Sequence, residues 1–298
     1  MDRFDLSGIF PPIPTPFEVD GRLAPGRLEQ NLQRWNSLPL RGYVVGGSNG
    51  EFPLLTLDER VEVVRVARRT AAPGRRVLAG SGMESTQATI DLTRRMAEAG
   101  AEAALVVTPS YYRGRMSAAA LTGHYAAVAA ASPIPIVLYN VPANTGIDLP
   151  IEAAVALSQH PNIAGMKESG GDVAKIARIL QASAPGFQVL AGSAGFFLGA
   201  LAVGAVGCIA ALANIAAVEL DRLLSAFRAG DLEGARSIQS RIVEANAAVT
   251  SMFGVAGLKA ALDGMGFYGG PVRSPLQPLT EDERGLLEGI LRRAGLLS

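Results

Sequence analysis

Short runs rich in Val, Ile and Ala recur eight times along this chain, each followed by small or polar residues and then by a helix-like segment. They fall at 8–14, 42–47, 76–82, 103–109, 135–142, 163–169, 187–193 and 205–211. Runs that stay apolar on both faces belong to parallel strands covered by helices, not to sheets with one wet side. The intervening segments carry helix signals. The segment 56–69 opens Thr56-Leu57-Asp58-Glu59, a capping box, and 85–98 and 117–131 each begin at a serine. Eight βα units in about 220 residues fit an α/β chain folded as a (β/α)8 TIM barrel. An open doubly wound sheet is the alternative, but no Gly-x-Gly-x-x-Gly turn follows the first run. The barrel strands and most helices are expected within 1–218. Residues 219–298 read as the last barrel helix plus a C-terminal helical extension, broken near Gly230, at Gly269-Gly270-Pro271, and at Pro275 and Pro278.

A formal net charge of zero gives no footprint for nucleic acid. The single cysteine, Cys208, rules out an internal disulfide framework, and His124 and His160 have no metal-ligand spacing, so no metal is expected. Residues 1–5 carry neither a basic nor an apolar signal segment, which points to a cytoplasmic protein. The stretch 179–218 has no charged residue and is long enough to suggest a membrane span. Pro185, Gln188, Ser193, Asn214 and frequent glycines interrupt it. A strand, a helix and a second strand buried between protein layers are expected there, with no membrane partner.

Only three of the 27 Lys and Arg residues are lysines, and one of them, Lys167, ends the sixth run. A guanidinium stays protonated, whereas a lysine amine can be made neutral and nucleophilic inside a protein. Schiff-base chemistry with a carbonyl substrate is the leading use of such an amine. For any single lysine, a stem covering apolar surface with its head in water is the plainer explanation. In a TIM barrel, chemistry gathers at the C-terminal strand ends. Those ends hold Ser48-Asn49-Gly50-Glu51, Tyr111-Tyr112, Tyr139-Asn140-Val141-Pro142, Lys167-Glu168-Ser169 and Gly192-Ser193. Tyr139 and Lys167 end adjacent strands, about 4.8 Å apart, so a phenol and an amine can meet over the barrel mouth. Taken singly, Tyr139 reads equally well as a rim aromatic, and the glycine-rich 46–51 turn as a plain strand-to-helix connection that could hold an anion.

Together these segments resemble the family of dihydrodipicolinate synthase and N-acetylneuraminate lyase, nearly end to end. The resemblance rests on Gly47-Ser48-Asn49-Gly50-Glu51, Tyr139-Asn140-Val141-Pro142 and Gly165-Met166-Lys167-Glu168-Ser169. It implies a class I aldolase working through a pyruvate imine, with Lys167, Tyr139, Tyr111 and Ser48 as the catalytic set. Tyr111 would reach into a neighbouring subunit, which implies a homo-oligomer, a dimer at least and in this family commonly a tetramer. Substrate contacts are expected at Asn49, Gly50, Asn144, Ser169, Gly192 and Ile209. No cofactor is implied. Within the family, Tyr111-Tyr112-Arg113-Gly114-Arg115-Met116 and Val141-Pro142-Ala143-Asn144-Thr145-Gly146 are similar to 4-hydroxy-2-oxoglutarate aldolases of the mitochondrial type. Dihydrodipicolinate synthases usually carry Arg where this chain has Asn144, and Thr-Thr where it has Ser48-Asn49. An amide replaces neither the charge nor the fork of a guanidinium, so that resemblance favours cleavage of 4-hydroxy-2-oxoglutarate over condensation with aspartate semialdehyde, with cleavage of a sugar-derived 2-oxo-3-deoxy acid as a further alternative within the family. Two other classes stay open: an oxo-acid sensor without turnover, and a phosphate-binding isomerase using Gly192-Ser193.

Overall fold

The computed structural model describes residues 4–297. Eight parallel strands form the sheet: β1 Gly8–Phe10, β2 Gly42–Val45, β3 Arg76–Gly80, β4 Ala103–Val107, β5 Ile136–Asn140, β6 Ile163–Glu168, β7 Gln188–Ala191 and β8 Gly207–Ile209. Their order runs from β1 through β8 and back down to β2, with every neighbouring pair parallel. Three backbone hydrogen bonds close the seam between β1 and β2: Arg41 to Ile9, Val44 to Pro11 and Ile13 to Val44. The expected first strand, 8–14, is therefore cut to three residues. Pro11, Pro12 and Pro14 have no N–H to donate, so this strand keeps direction but not a full ladder.

Alternation along each strand divides the apolar residues into two cores. Phe10, Val44, Leu78, Leu105, Val137 and Leu190 fill the barrel interior. Ile9, Val45, Val77, Val106, Leu138 and Val189 face outward against the helices. Burial on both faces explains the unbroken apolar runs of the sequence.

The helices are α1 Pro25–Trp35, α2 Leu57–Thr70, α3 Thr86–Glu98, α4 Ala118–Ala131, the short α5 Pro142–Thr145, α6 Ile151–Ser158, α7 Val173–Ala182, α8 Phe197–Ala202, α9 Ala217–Arg228, α10 Leu232–Ala247, α11 Gly254–Gly264 and α12 Glu281–Arg293. The capping box at Thr56 is present with both of its hydrogen bonds. Ser85 and Ser117 cap α3 and α4. The uncharged 179–218 stretch holds β7, α8 and β8, as expected, and no helix among the described residues is long and apolar enough to cross a membrane.

α9 is followed by α10, α11 and α12, with Gly230 at φ 81° breaking the chain between α9 and α10. These helices join the outer core through Leu220, Ile242, Leu258 and Leu287. They also reach the barrel mouth. Asn246 of α10 donates to Ser193 Oγ at 2.9 Å and accepts from the Ala194 N–H at 3.2 Å. Lys259 of α11 forms a buried ion pair with Glu51 at the end of the β2 turn.

Candidate active site

Tyr139 and Lys167 are partners in the register between β5 and β6. The Lys167 Nζ lies 4.0 Å from the centroid of the Tyr139 ring, and both residues are buried. The other two lysines are committed elsewhere. Lys175 pairs with Asp148 and, at 3.3 Å, with Glu168; Lys259 pairs with Glu51 at 2.5 Å. Among the described residues, Lys167 alone of the three has no carboxylate within ion-pairing distance. The Lys167 amine thus sits on an aromatic face without a counter-ion among the described residues.

Ser48 comes from the one-turn helix Ser48–Gly50 that follows β2. Its Oγ is 3.2 Å from the Tyr139 hydroxyl, and either oxygen can donate. Gly46, at φ 64°, lets the chain leave the strand sharply enough to bring this turn over the mouth. The amides of Ser48 and Asn49, first in the turn, have no acceptor within it and suit a carboxylate. The Gly50 carbonyl accepts from Thr15 Oγ1 at 2.7 Å, which ties the turn to the segment after β1.

Ser169 and Gly192 meet at the ends of β6 and β7. The Ser169 Oγ is buried without a hydrogen-bond partner. A Cβ on Gly192 would sit 1.9 Å from that oxygen, so the glycine is what makes room for it. Ile209, at the end of β8, is fully buried in the inner cluster with Tyr139 and forms apolar wall. Asn144, on α5, is exposed and borders a cavity of about 860 Å³. Ser48, Arg60, Thr108, Ser110 and Val141 share its lining. This cavity lies over the ends of β2 to β5, and Ser48 connects it to the Tyr139–Lys167 pair. Burial pushes the Arg60 guanidinium down to about 10, still cationic near neutral pH, and it has no carboxylate partner among the described residues.

Tyr111 does not join the others within one chain. It is 78 % exposed, stacked edge-on against Tyr112 at 5.0 Å, with its N–H held by Glu84. Within the chain, the hydroxyl contact of Tyr139 ends at Ser48. Cys208 lies fully buried on β8, and burial raises its thiol pKa well above the usual range despite the nearby Lys167 charge, so it stays a protonated thiol. Among the described residues no cluster of His, Cys, Asp and Glu is arranged to hold a metal ion.

Sequence reasoning assigned no role to Glu168. It is fully buried, accepts from Asn140 Nδ2 at 2.9 and 3.0 Å and from the Gly170 N–H at 2.5 Å, and pairs with Lys175. Asn140 also donates to Asp148 at 2.6 Å. This network locks the ends of β5 and β6 together immediately beyond Tyr139 and Lys167. A charged residue at the end of an apolar run was its only sequence signal.

The model of the dihydrodipicolinate synthetase family matches residues 5–294. An uncharacterised DapA-like lyase of Halobacterium salinarum is 37% identical over 296 residues, 99% of this chain and 96% of that protein. A 4-hydroxy-tetrahydrodipicolinate synthase of Methanothrix thermoacetophila is 34% identical over 287 residues, 96% of each chain. Among solved structures, dihydrodipicolinate synthase DapA-2 of Bacillus anthracis superposes with a TM-score of 0.93 at 31% identity, covering 97% of this chain and 98% of that one.

Proposed function

The chain belongs to the dihydrodipicolinate synthetase family, and we propose on that premise that it is a pyruvate-imine aldolase whose substrate is 4-hydroxy-2-oxoglutarate. The observation that carries this reading is Lys167, the one lysine without a carboxylate partner among the described residues, set against a tyrosine whose hydroxyl meets Ser48. The neutral Lys167 amine adds to the C2 ketone and expels water, giving a protonated imine. The C1 carboxylate rests on the Ser48 and Asn49 amides. Tyr139 takes the C4 hydroxyl proton, passing it through Ser48 and the partner subunit's Tyr111. The C3–C4 electron pair then moves into the imine, glyoxylate leaves, and the enamine is protonated at C3. Water hydrolyses the imine, releasing pyruvate and the amine. The imine serves as the electron sink that a Lewis acid supplies in metal aldolases. Asn49 and Ser169, whose Oγ has no partner, are available to the distal carboxylate.

Asn144 supports this substrate over aspartate semialdehyde, because that position offers an amide and no guanidinium. The names of relatives such as the Methanothrix synthase support the second reading, condensation of pyruvate with aspartate semialdehyde. One experiment separates them. Pyruvate release from 4-hydroxy-2-oxoglutarate is followed by NADH oxidation with lactate dehydrogenase, beside aspartate-semialdehyde-dependent pyruvate consumption. Release that disappears in Lys167→Ala is the expected result. Turnover that survives in Lys167→Ala would sink the imine mechanism; consumption with aspartate semialdehyde alone would move the substrate to the second reading.

A further inference from the structure

Glu51 closes the turn that carries Ser48, and its backbone sits in the left-handed region at φ 54°. It is the one non-glycine residue with positive φ among the described residues. A side chain holds that conformation only where its surroundings enforce it. Here the enforcement comes from α11 and the segment that follows it. The Glu51 carboxylate is out of contact with solvent, pairs with Lys259 Nζ at 2.5 Å, and accepts from the Arg273 N–H at 2.8 Å. Lys259 is 1 % exposed, donates to the Pro271 carbonyl at 2.7 Å, and lies 4.4 Å from the Phe17 ring centroid. The Arg273 guanidinium in turn takes both Glu59 oxygens at 2.7 Å and the carbonyls of Gly21 and Leu54.

We infer that Lys259 is a positioning residue: through its buried ion pair with Glu51, it holds the turn in the conformation that sets Ser48 Oγ against the Tyr139 hydroxyl. This rests on reading Ser48 and Tyr139 as the proton-handling pair. The same device recurs across the mouth. The glutamate that follows the Ser48 turn is held by Lys259, and the glutamate that follows Lys167 is held by Lys175. A compact ammonium fits a fully enclosed carboxylate where a guanidinium fork requires more acceptors. That requirement accounts for two of the three lysines in a chain that otherwise uses arginine.

The test uses the full chain with Lys259→Met, Glu51→Gln, and the double variant, which leaves no unpaired buried charge behind. Hydrogen–deuterium exchange of a peptide covering 47–55 reads the turn directly and does not depend on the substrate being right. Pyruvate release reads the consequence. In the double variant, the Gly50 and Glu51 amides, bonded in the parent to the Gly47 and Ser48 carbonyls, should exchange faster while β4 to β6 exchange as in the parent. The kcat should fall about 10²-fold, the loss expected for a displacement near 1 Å, and KM should rise, because the same turn carries the amides beneath the C1 carboxylate. Glu51→Gln keeps side-chain volume and an acceptor oxygen, and should show the same pattern if Lys259→Met does not fold. Unchanged exchange at Gly50 and Glu51 in the double variant overturns the inference, as does parental kcat in a variant whose turn has loosened. A parent protein that releases no pyruvate, with the exchange pattern as expected, would remove the proposed reaction and leave the positioning role standing.

Discussion

A methyl group at position 192 has no room. Its Cβ would stand 1.9 Å from Ser169 Oγ, 2.7 Å from Ser169 Cβ and 2.8 Å from the Glu168 carbonyl oxygen, where ordinary contact begins at 3.4 Å. The hydroxyl can rotate away. The Ser169 Cβ and the Glu168 carbonyl cannot, and they must retreat by roughly 0.6–0.7 Å to reach ordinary contact. They are also tethered, because the Gly192 N–H donates to that same carbonyl at 2.7 Å. The strain therefore falls on the end of β6, one residue from Lys167. A misplacement of 1 Å costs about 10²-fold in rate, so Gly192→Ala should lower kcat about tenfold, or ~1.4 kcal/mol of barrier. Overpacking should lower folding stability by about 1–3 kcal/mol. Steady-state pyruvate release and thermal unfolding measure the two effects. Adding Ser169→Gly removes two of the three contacts and should recover part of the stability. A folded Gly192→Ala protein with parental kcat would refute the geometric argument.

Thr56→Ala removes the cap of α2 and its reciprocal bond to Glu59, and should lower stability by about 1 kcal/mol in chemical denaturation; an unchanged midpoint would mean the cap contributes nothing. His124 is buried with Nδ1 2.9 Å from Thr86 Oγ1 and Nε2 without a partner. Burial holds its pKa below 6.5, with the Glu84 charge opposing, so the folded state binds fewer protons than the unfolded one. Its stability contribution is complete above pH 6.5 and is lost as pH falls through that value and below. His124→Gln should flatten this acid limb in thermal midpoints taken between about pH 5 and 8, and a limb of undiminished slope would contradict it. Asn144→Arg, on the cavity edge, should depress 4-hydroxy-2-oxoglutarate cleavage and introduce activity with aspartate semialdehyde. Kinetics identical to the parent on both substrates would show that position 144 does not select the substrate.

The parts of the site readable from sequence were those set by one short segment or by adjacent strands. Tyr139 and Lys167 each end an apolar run, and neighbouring strand ends must approach each other, so their pairing followed from order alone. The Thr56 capping box is a four-residue signal and was equally legible. Lys259 meets Glu51 across 208 residues, and nothing local in either segment announces that contact. Glu51 was harder still, because left-handed backbone is ordinarily signalled by glycine, and here an ion pair takes the place of that signal. The shortened β1 was written in Pro11, Pro12 and Pro14, residues that mark lost donors more clearly than an apolar count does. Tyr111 shows the opposite case: its segment was recognised, but one chain leaves the ring facing outward.

The scarcity of lysine also has a consequence for how the folded protein meets reactive chemistry. Lys167, Lys175 and Lys259 are 3 %, 6 % and 1 % exposed, and two of them are tied up by carboxylates. The surface therefore presents its positive side-chain charge almost wholly as guanidinium, which acylating agents, reducing sugars and stray aldehydes modify poorly compared with amines. Side-chain amine chemistry is confined to the barrel mouth, where the one uncommitted amine waits. A mass increment mapped to Lys167 on the native chain would thus report reaction at the barrel mouth, with scarcely any background from the other two side-chain amines.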